Sequence, residues 1–276
     1  PTPDARLRRP TFRPTSRGVN MRKFVAVPVA TAGLVVFGVS ALAVPANAGD
    51  ATAAFPLTQA GMASASLRAS DIPKALAKDP KRSLSYTTVP KTHQFEMCVD
   101  KNGKKVFGAR PLQHENSSVV LSQTGSGDNI TATVAVSSDI YGYSSTASAK
   151  KKWKALKKAT SRCAPTVNAP VTVTGDLVQA NVAQQKKTLA KTHGYEGFRI
   201  AQQVAVDVGS GATGGLTIYV GGYSVYRQVG TTILRVQFAN YTQSSAADSQ
   251  IKPAWSAFAR AESVRIADRV ARLPIN

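Results

Sequence analysis

The chain has 276 residues and carries 35 Lys and Arg against 15 Asp and Glu, a net charge of +20. So large a cationic excess points toward polyanionic surroundings. The two cysteines cannot hold a metal by themselves, and none of the three histidines is placed to help them.

Residues 1–20 are rich in Pro, Arg and Thr and read as an over-extended start or a disordered tail. Residues 21–48 read as a secretory signal peptide: Met21, Arg22 and Lys23, then an apolar run from Phe24 to Val44. Pro45 breaks the run, and Ala46, Asn47 and Ala48 form a small-x-small site, with cleavage expected before Gly49. The run has 21 residues, so an uncleaved single-pass anchor with the following domain outside is the alternative. The absence of a cysteine at its exit weighs against lipidation. Without its first 48 residues the chain has 228, with 28 basic and 14 acidic side chains. That is enough for one large domain.

Residues 49–70 are small, polar and alanine-rich and read as a flexible leader, followed by one domain over 71–276. Asp71, Ile72 and Pro73 open a short helix through Ala77. Strands are expected at 95–99, 106–110, 118–123 and 130–137, with a tight turn at Asn102-Gly103. Thr131, Thr133 and Ser137 alternate with Ala132, Val134 and Val136, the period of a half-buried antiparallel strand. A helix is expected over 145–163, with Trp153, Leu156, Thr160 and Cys163 on one face and lysines crowding the rest. Further strands fall at 169–174, 194–208, 216–229 and 231–241, the last two joined by Gly230. A closing helix over 246–273 carries Trp255, Phe258, Val264 and Val270, with arginines toward its C-terminal end, where they suit the helix dipole. Strands, helix, strands, helix without regular alternation define an α+β fold: an antiparallel β-sheet flanked by helices. Cys98 and Cys163, both in the exported part, are expected to form one disulfide.

A cysteine-bearing strand, an amphipathic helix with nine residues between Trp153 and its closing Cys163, and an Arg-Val-Ala-Arg-Leu ending at 269–273 recur in an actinobacterial group. The chain resembles these secreted or membrane-tethered sensor-like domains, similar to the extracellular domain of receptor serine/threonine kinases. The resemblance covers about residues 65–273. It implies an antiparallel sheet flanked by helices with a cleft that receives a ligand; no catalytic residue is carried over from it, and no cofactor is expected. Kinase sensor domains of this kind carry two disulfides where this chain can make one, and no kinase signature is present.

The remaining motifs are weak carriers of chemistry. Gly209, Gly211 and Gly214 imitate a phosphate loop, but strands are expected on both sides and no helix follows. His93, His114 and His193 are scattered, no GxSxG elbow is present, and Glu96, Glu115, Glu196 and Glu262 read best as surface groups. Two binding surfaces compete. Tyr219 and Tyr223 share a strand face and can line a cleft for a small or lipid-like ligand. Lys150, Lys151, Lys154, Lys157 and Lys158 can grip an anionic lipid or wall polymer, and export weighs against a nucleic-acid partner. A secreted hydrolase is the third reading.

Overall fold

The computed structural model describes residues 57–77, 81–88, 96–108, 110–124, 131–173, 176–208 and 216–274. The signal-like segment 21–48, its expected cleavage site and the glycine-rich stretch 209–215 lie outside the described residues. No helix among the described residues is long and apolar enough to cross a membrane.

The fold is α+β. After helix α1 (Gln59–Ala65) come strands β1 (Lys81–Thr88), β2 (Glu96–Val99), β3 (Lys105–Phe107), β4 (Gln113–Thr124) and β5 (Ala132–Gly142). Helix α2 (Thr146–Ala159) separates these from β6 (Thr166–Val173), β7 (Asp176–Thr192), β8 (Tyr195–Val208), β9 (Leu216–Val229) and β10 (Thr232–Thr242), and helix α3 (Pro253–Ala271) closes the chain. Eight strands form one antiparallel sheet in the order β1-β4-β5-β10-β9-β8-β7-β6, and β2 and β3 form a separate hairpin. The late strands run as consecutive hairpins. Between β7 and β8, His193 and Gly194 both take positive φ (50° and 81°), the requirement of a type I′ turn. Gly230 takes φ 52° between β9 and β10.

Strand alternation sorts the side chains onto two covered faces. Leu234, Val236 and Phe238 of β10 meet α1 and α3, in a core with Met62, Leu67, Phe258 and Ile266. Trp255 stacks on Phe238 at 5.8 Å between centroids, and Phe258 meets it edge-on at 5.9 Å. Ile233, Tyr141, Phe198 and Tyr226 face the other way and pack under α2 and the β2–β3 hairpin with Trp153, Leu156 and Met97. There Trp153, Phe198 and Tyr226 form a stacked row with spacings of 5.2 and 4.8 Å. The expected disulfide is present: Cys98 on β2 joins Cys163, just past α2, across 65 residues.

Several expected boundaries move. Residues 57–70, expected as flexible leader, contain α1 with Met62, Ala65 and Leu67 buried. Arg269 of α3 fixes this segment by donating to the Ser66 carbonyl at 3.2 Å and to the Asp71 carboxylate at 2.9 Å. The short helix expected over 71–77 is absent; a 3-10 turn at Ala69–Asp71 precedes it, and 74–76 make only a turn. The last helix starts at Pro253 rather than 246, because Pro suits the first helical turn and the preceding residues form an irregular turn. Strands β1 and β7 were not expected at all.

Candidate functional site

The turn before α3 borders two concavities, one of about 450 Å³ beside β7, β8 and β9 and one of about 460 Å³ beside β4, β5 and β10. Gln203 of β8 donates to the Ala246 carbonyl at 2.6 Å and to Ser249 Oγ at 3.3 Å, and Asn240 of β10 donates to the Asp248 carbonyl at 2.7 Å. These bonds hold residues 246–251 against the sheet. Gly221 permits the contact: a Cβ there would lie 1.8 Å from the Ser249 carbonyl oxygen. Beside this turn, β7, β8 and β9 leave a groove of about 450 Å³, within the range of small-molecule sites. Its lining includes Gln185, Arg199, Ala201, Tyr223, Gln250 and Ile251.

Two groups in the groove have unused polar capacity. The Arg199 guanidinium lies 5.4 Å above the Tyr223 ring and meets no carboxylate among the described residues. The Tyr223 side chain is 3% exposed, and its hydroxyl has no hydrogen-bond partner among the described residues. Of the two expected cleft tyrosines, Tyr223 lines this groove and Tyr219, four residues back on the same face, does not. Sequence reasoning missed Arg199; the available signal was a charge set between the apolar Phe198 and Ile200 in a strand.

The opposite face holds a buried charge cluster. Asp139 is fully buried and accepts from Arg235 Nε at 2.8 Å and Asn116 Nδ2 at 2.9 Å, with His114 Nε2 at 2.8 Å. Burial alone would raise the Asp139 pKa; the Arg235 charge, with His114, overcomes this and holds it far below the ordinary carboxylate range. His114 stacks on Tyr141 at 4.7 Å. Next to Arg235, the residues Glu96, Gln202, Ser224 and Gln237 enclose a void of about 10 Å³, close to the smallest that admits one water. Burial also raises the Glu96 pKa, against the opposing pull of Lys105. His114 therefore pairs with Asp139 across the strands, not with its sequence neighbour Glu115. Through Asp139, the side chains of His114, Asn116 and Arg235 tie β4, β5 and β10 together. Among the described residues no group of three or more His, Cys, Asp or Glu is arranged to hold a metal.

The glutamates depart from the surface reading. Glu115 is 1% exposed and Glu262 is fully buried, both on the face covered by α1 and α3. Glu196, its side chain 45% exposed, pairs with Lys157 at 2.8 Å, which holds its pKa down. Lys150, Lys151, Lys154, Lys157 and Lys158 are all exposed on α2, as the spacing required. The strands flanking the 209–215 glycines are antiparallel neighbours, pairing Val208 with Leu216, and β9 rather than a helix follows the glycines. That is the context of a hairpin, not a phosphate loop.

No protein-family model matches the chain, and no curated protein matches it. Among solved structures, the extracellular domain of PknH from Mycobacterium tuberculosis is similar, at 12% identity and a TM-score of 0.39, over 78% of this chain and 97% of that one. Likeness at that level carries no argument about ligand or role.

Proposed function

We propose that this chain is an exported, non-catalytic ligand-binding module, and that the groove beside the 246–251 turn takes a small or lipid-like molecule. The carrying observation is the groove of about 450 Å³, lined by a half-buried arginine that meets no carboxylate among the described residues. A half-buried cation is costly unless something compensates it, and a ligand oxygen accepting from Arg199 would do so. The export half of the reading rests on the signal-like residues 21–48 and on the Cys98–Cys163 bridge, which suits an oxidising compartment.

The test is purification of the protein from its native envelope, followed by mass spectrometry of the denatured sample. A bound molecule at near-equal stoichiometry, lost in Arg199→Gln, is expected. Re-adding it at a hundredfold excess over its Kd should raise Tm by about 5–10 °C, the shift about 2.7 kcal/mol produces in a domain of this size. Recovery of the same molecule from wild type and Arg199→Gln alike would move the site elsewhere.

A further inference from the structure

The two layers covering the sheet differ sharply in charge. On one side, residues 96–108 and 146–163, which form the β2–β3 hairpin and α2, hold ten Lys or Arg against Glu96 and Asp100 alone. On the other side, residues 57–77 and 253–272 hold six against Asp71, Glu262 and Asp268. Two of those six, Arg265 and Arg269, are committed to ion pairs.

Within the basic layer the charges are aligned. At about 100° per residue, Lys150, Lys151, Lys154, Lys157 and Lys158 occupy one flank of α2 about 120° wide, beside the buried Ala149, Trp153 and Leu156. Lys157 alone of these meets a carboxylate; the other four are exposed and pair with none among the described residues. Lys186 of β7 extends the flank toward the sheet, its Nζ 3.5 Å from the Lys157 carbonyl oxygen. On the hairpin, Lys101 and Lys104 lie at the exposed turn, while Asp100 accepts from the Asn102 and Lys104 backbone N–H groups. Val106 is buried, so alternation turns its neighbour Phe107 outward, where it is 41% exposed.

We propose that this face docks on an anionic phospholipid bilayer. The lysine flank meets headgroup phosphates, and Phe107 enters the interfacial layer. The pairing of an outward aromatic with unpaired lysines selects a bilayer over a soluble phosphate polymer, because only the bilayer offers an apolar interior. The proposal is independent of the groove, which lies on the opposite face of the sheet.

Vesicle co-sedimentation tests it, with phosphatidylcholine vesicles compared against the same lipid containing one third phosphatidylglycerol. Wild type should bind the anionic vesicles alone. Changing Lys151, Lys154 and Lys158 together to Gln should weaken binding about a hundredfold, the effect of about 1 kcal/mol per lysine near the surface. Phe107→Ala should weaken vesicle binding several-fold and leave binding to soluble poly(glycerol phosphate) unchanged. Lys74→Gln, Arg260→Gln and Arg272→Gln, which remove the same charge from the other layer, should change binding less than threefold. Absence of binding to anionic vesicles overturns the proposal. So does an equal loss in both triple variants, which would leave net charge alone as the cause. Vesicle binding that ignores Phe107→Ala while poly(glycerol phosphate) competes fully would transfer the face to a phosphate polymer.

Discussion

Glu262 makes the stability of the α3 layer pH-dependent with a definite sign. Its carboxylate is fully buried, 2.8 Å from Arg265 and 3.7 Å from Arg269, and it shares its site with Asp71. Burial first, and the Asp71 charge second, raise its pKa from 4.5 to about 7. Asp71 moves the other way: burial opposes the shift, but the Arg269 and Arg68 hydrogen bonds pull it below its ordinary value. Between pH 4.5 and 7 the folded chain holds a proton on Glu262 that the unfolded chain releases. Stability therefore falls as pH rises through that window, and the loss is complete above 7. Its full size is about 3 kcal/mol. Glu262→Gln keeps the shape and removes the ionisation. The ionised carboxylate's attraction to Arg265, an arginine 50% exposed, is weak and already contained in the raised pKa. Urea denaturation of both proteins at pH 5, 6, 7 and 8 should show the variant gaining on wild type by about 2–3 kcal/mol between pH 5 and 8. A gap that changes by less than about 1 kcal/mol across that range would refute the assignment of a raised pKa to Glu262.

Gly221→Ala should displace the 246–251 turn, because the added methyl meets the Ser249 carbonyl oxygen. Thermal unfolding should report a loss of about 1–3 kcal/mol, with ligand binding in the groove reduced in the same variant. Phe238→Ala empties the contact between Trp255 and Phe258 and should cost about 3–5 kcal/mol, read from the urea midpoint. Replacing Cys98 and Cys163 together by Ser releases a loop of 65 residues and should cost about 4 kcal/mol in the chain-entropy model, with Trp153 fluorescence reporting loosening of the α2 layer.

The antiparallel sheet, both long helices and the disulfide were legible because each leaves a local pattern. β5, β9 and β10 have β-branched and aromatic runs bounded by turn residues, and α2 has an apolar stripe at helical spacing. β7 left no such pattern. Its sequence DLVQANVAQQKKTLAKT buries Ala180, Val182 and Gln184 while Gln179, Asn181, Gln185 and Lys187 stand exposed on the other face, so only pairing with β6 and β8 defines it as a strand. β1 likewise is defined by its ladder with β4. The leader segment was misread for a related reason. α1 has few large apolar residues, and its place comes from the long-range bonds of Arg269 and from burial of Met62 and Leu67. The Asp139 cluster assembles residues from β4, β5 and β10, its Arg235–Asp139 bond alone spanning 96 positions, and such convergence has no linear signature.

Three arginines of the central strands show why the groove, rather than the buried cluster, is the better place to look for a ligand. Arg235 is 2% exposed, and its Nε donates to the fully buried Asp139, so its charge is already neutralised. Arg227 is 3% exposed and donates Nε to Ser263 Oγ at 2.8 Å, a tie between β9 and α3. Burial lowers its pKa, with Asp268 opposing. Both have the partners that a buried cation needs for stability. Arg199 lies on the same face as Arg227, two strand positions from Ala201, yet among the described residues it has only the Tyr223 ring beneath it. A ring face compensates a guanidinium by about 0.5–2 kcal/mol and leaves its N–H donors unused. Those donors border the groove, whereas the Asp139 cluster encloses only the void of about 10 Å³. A ligand oxygen therefore has room and unmatched donors at Arg199, and neither at Arg235.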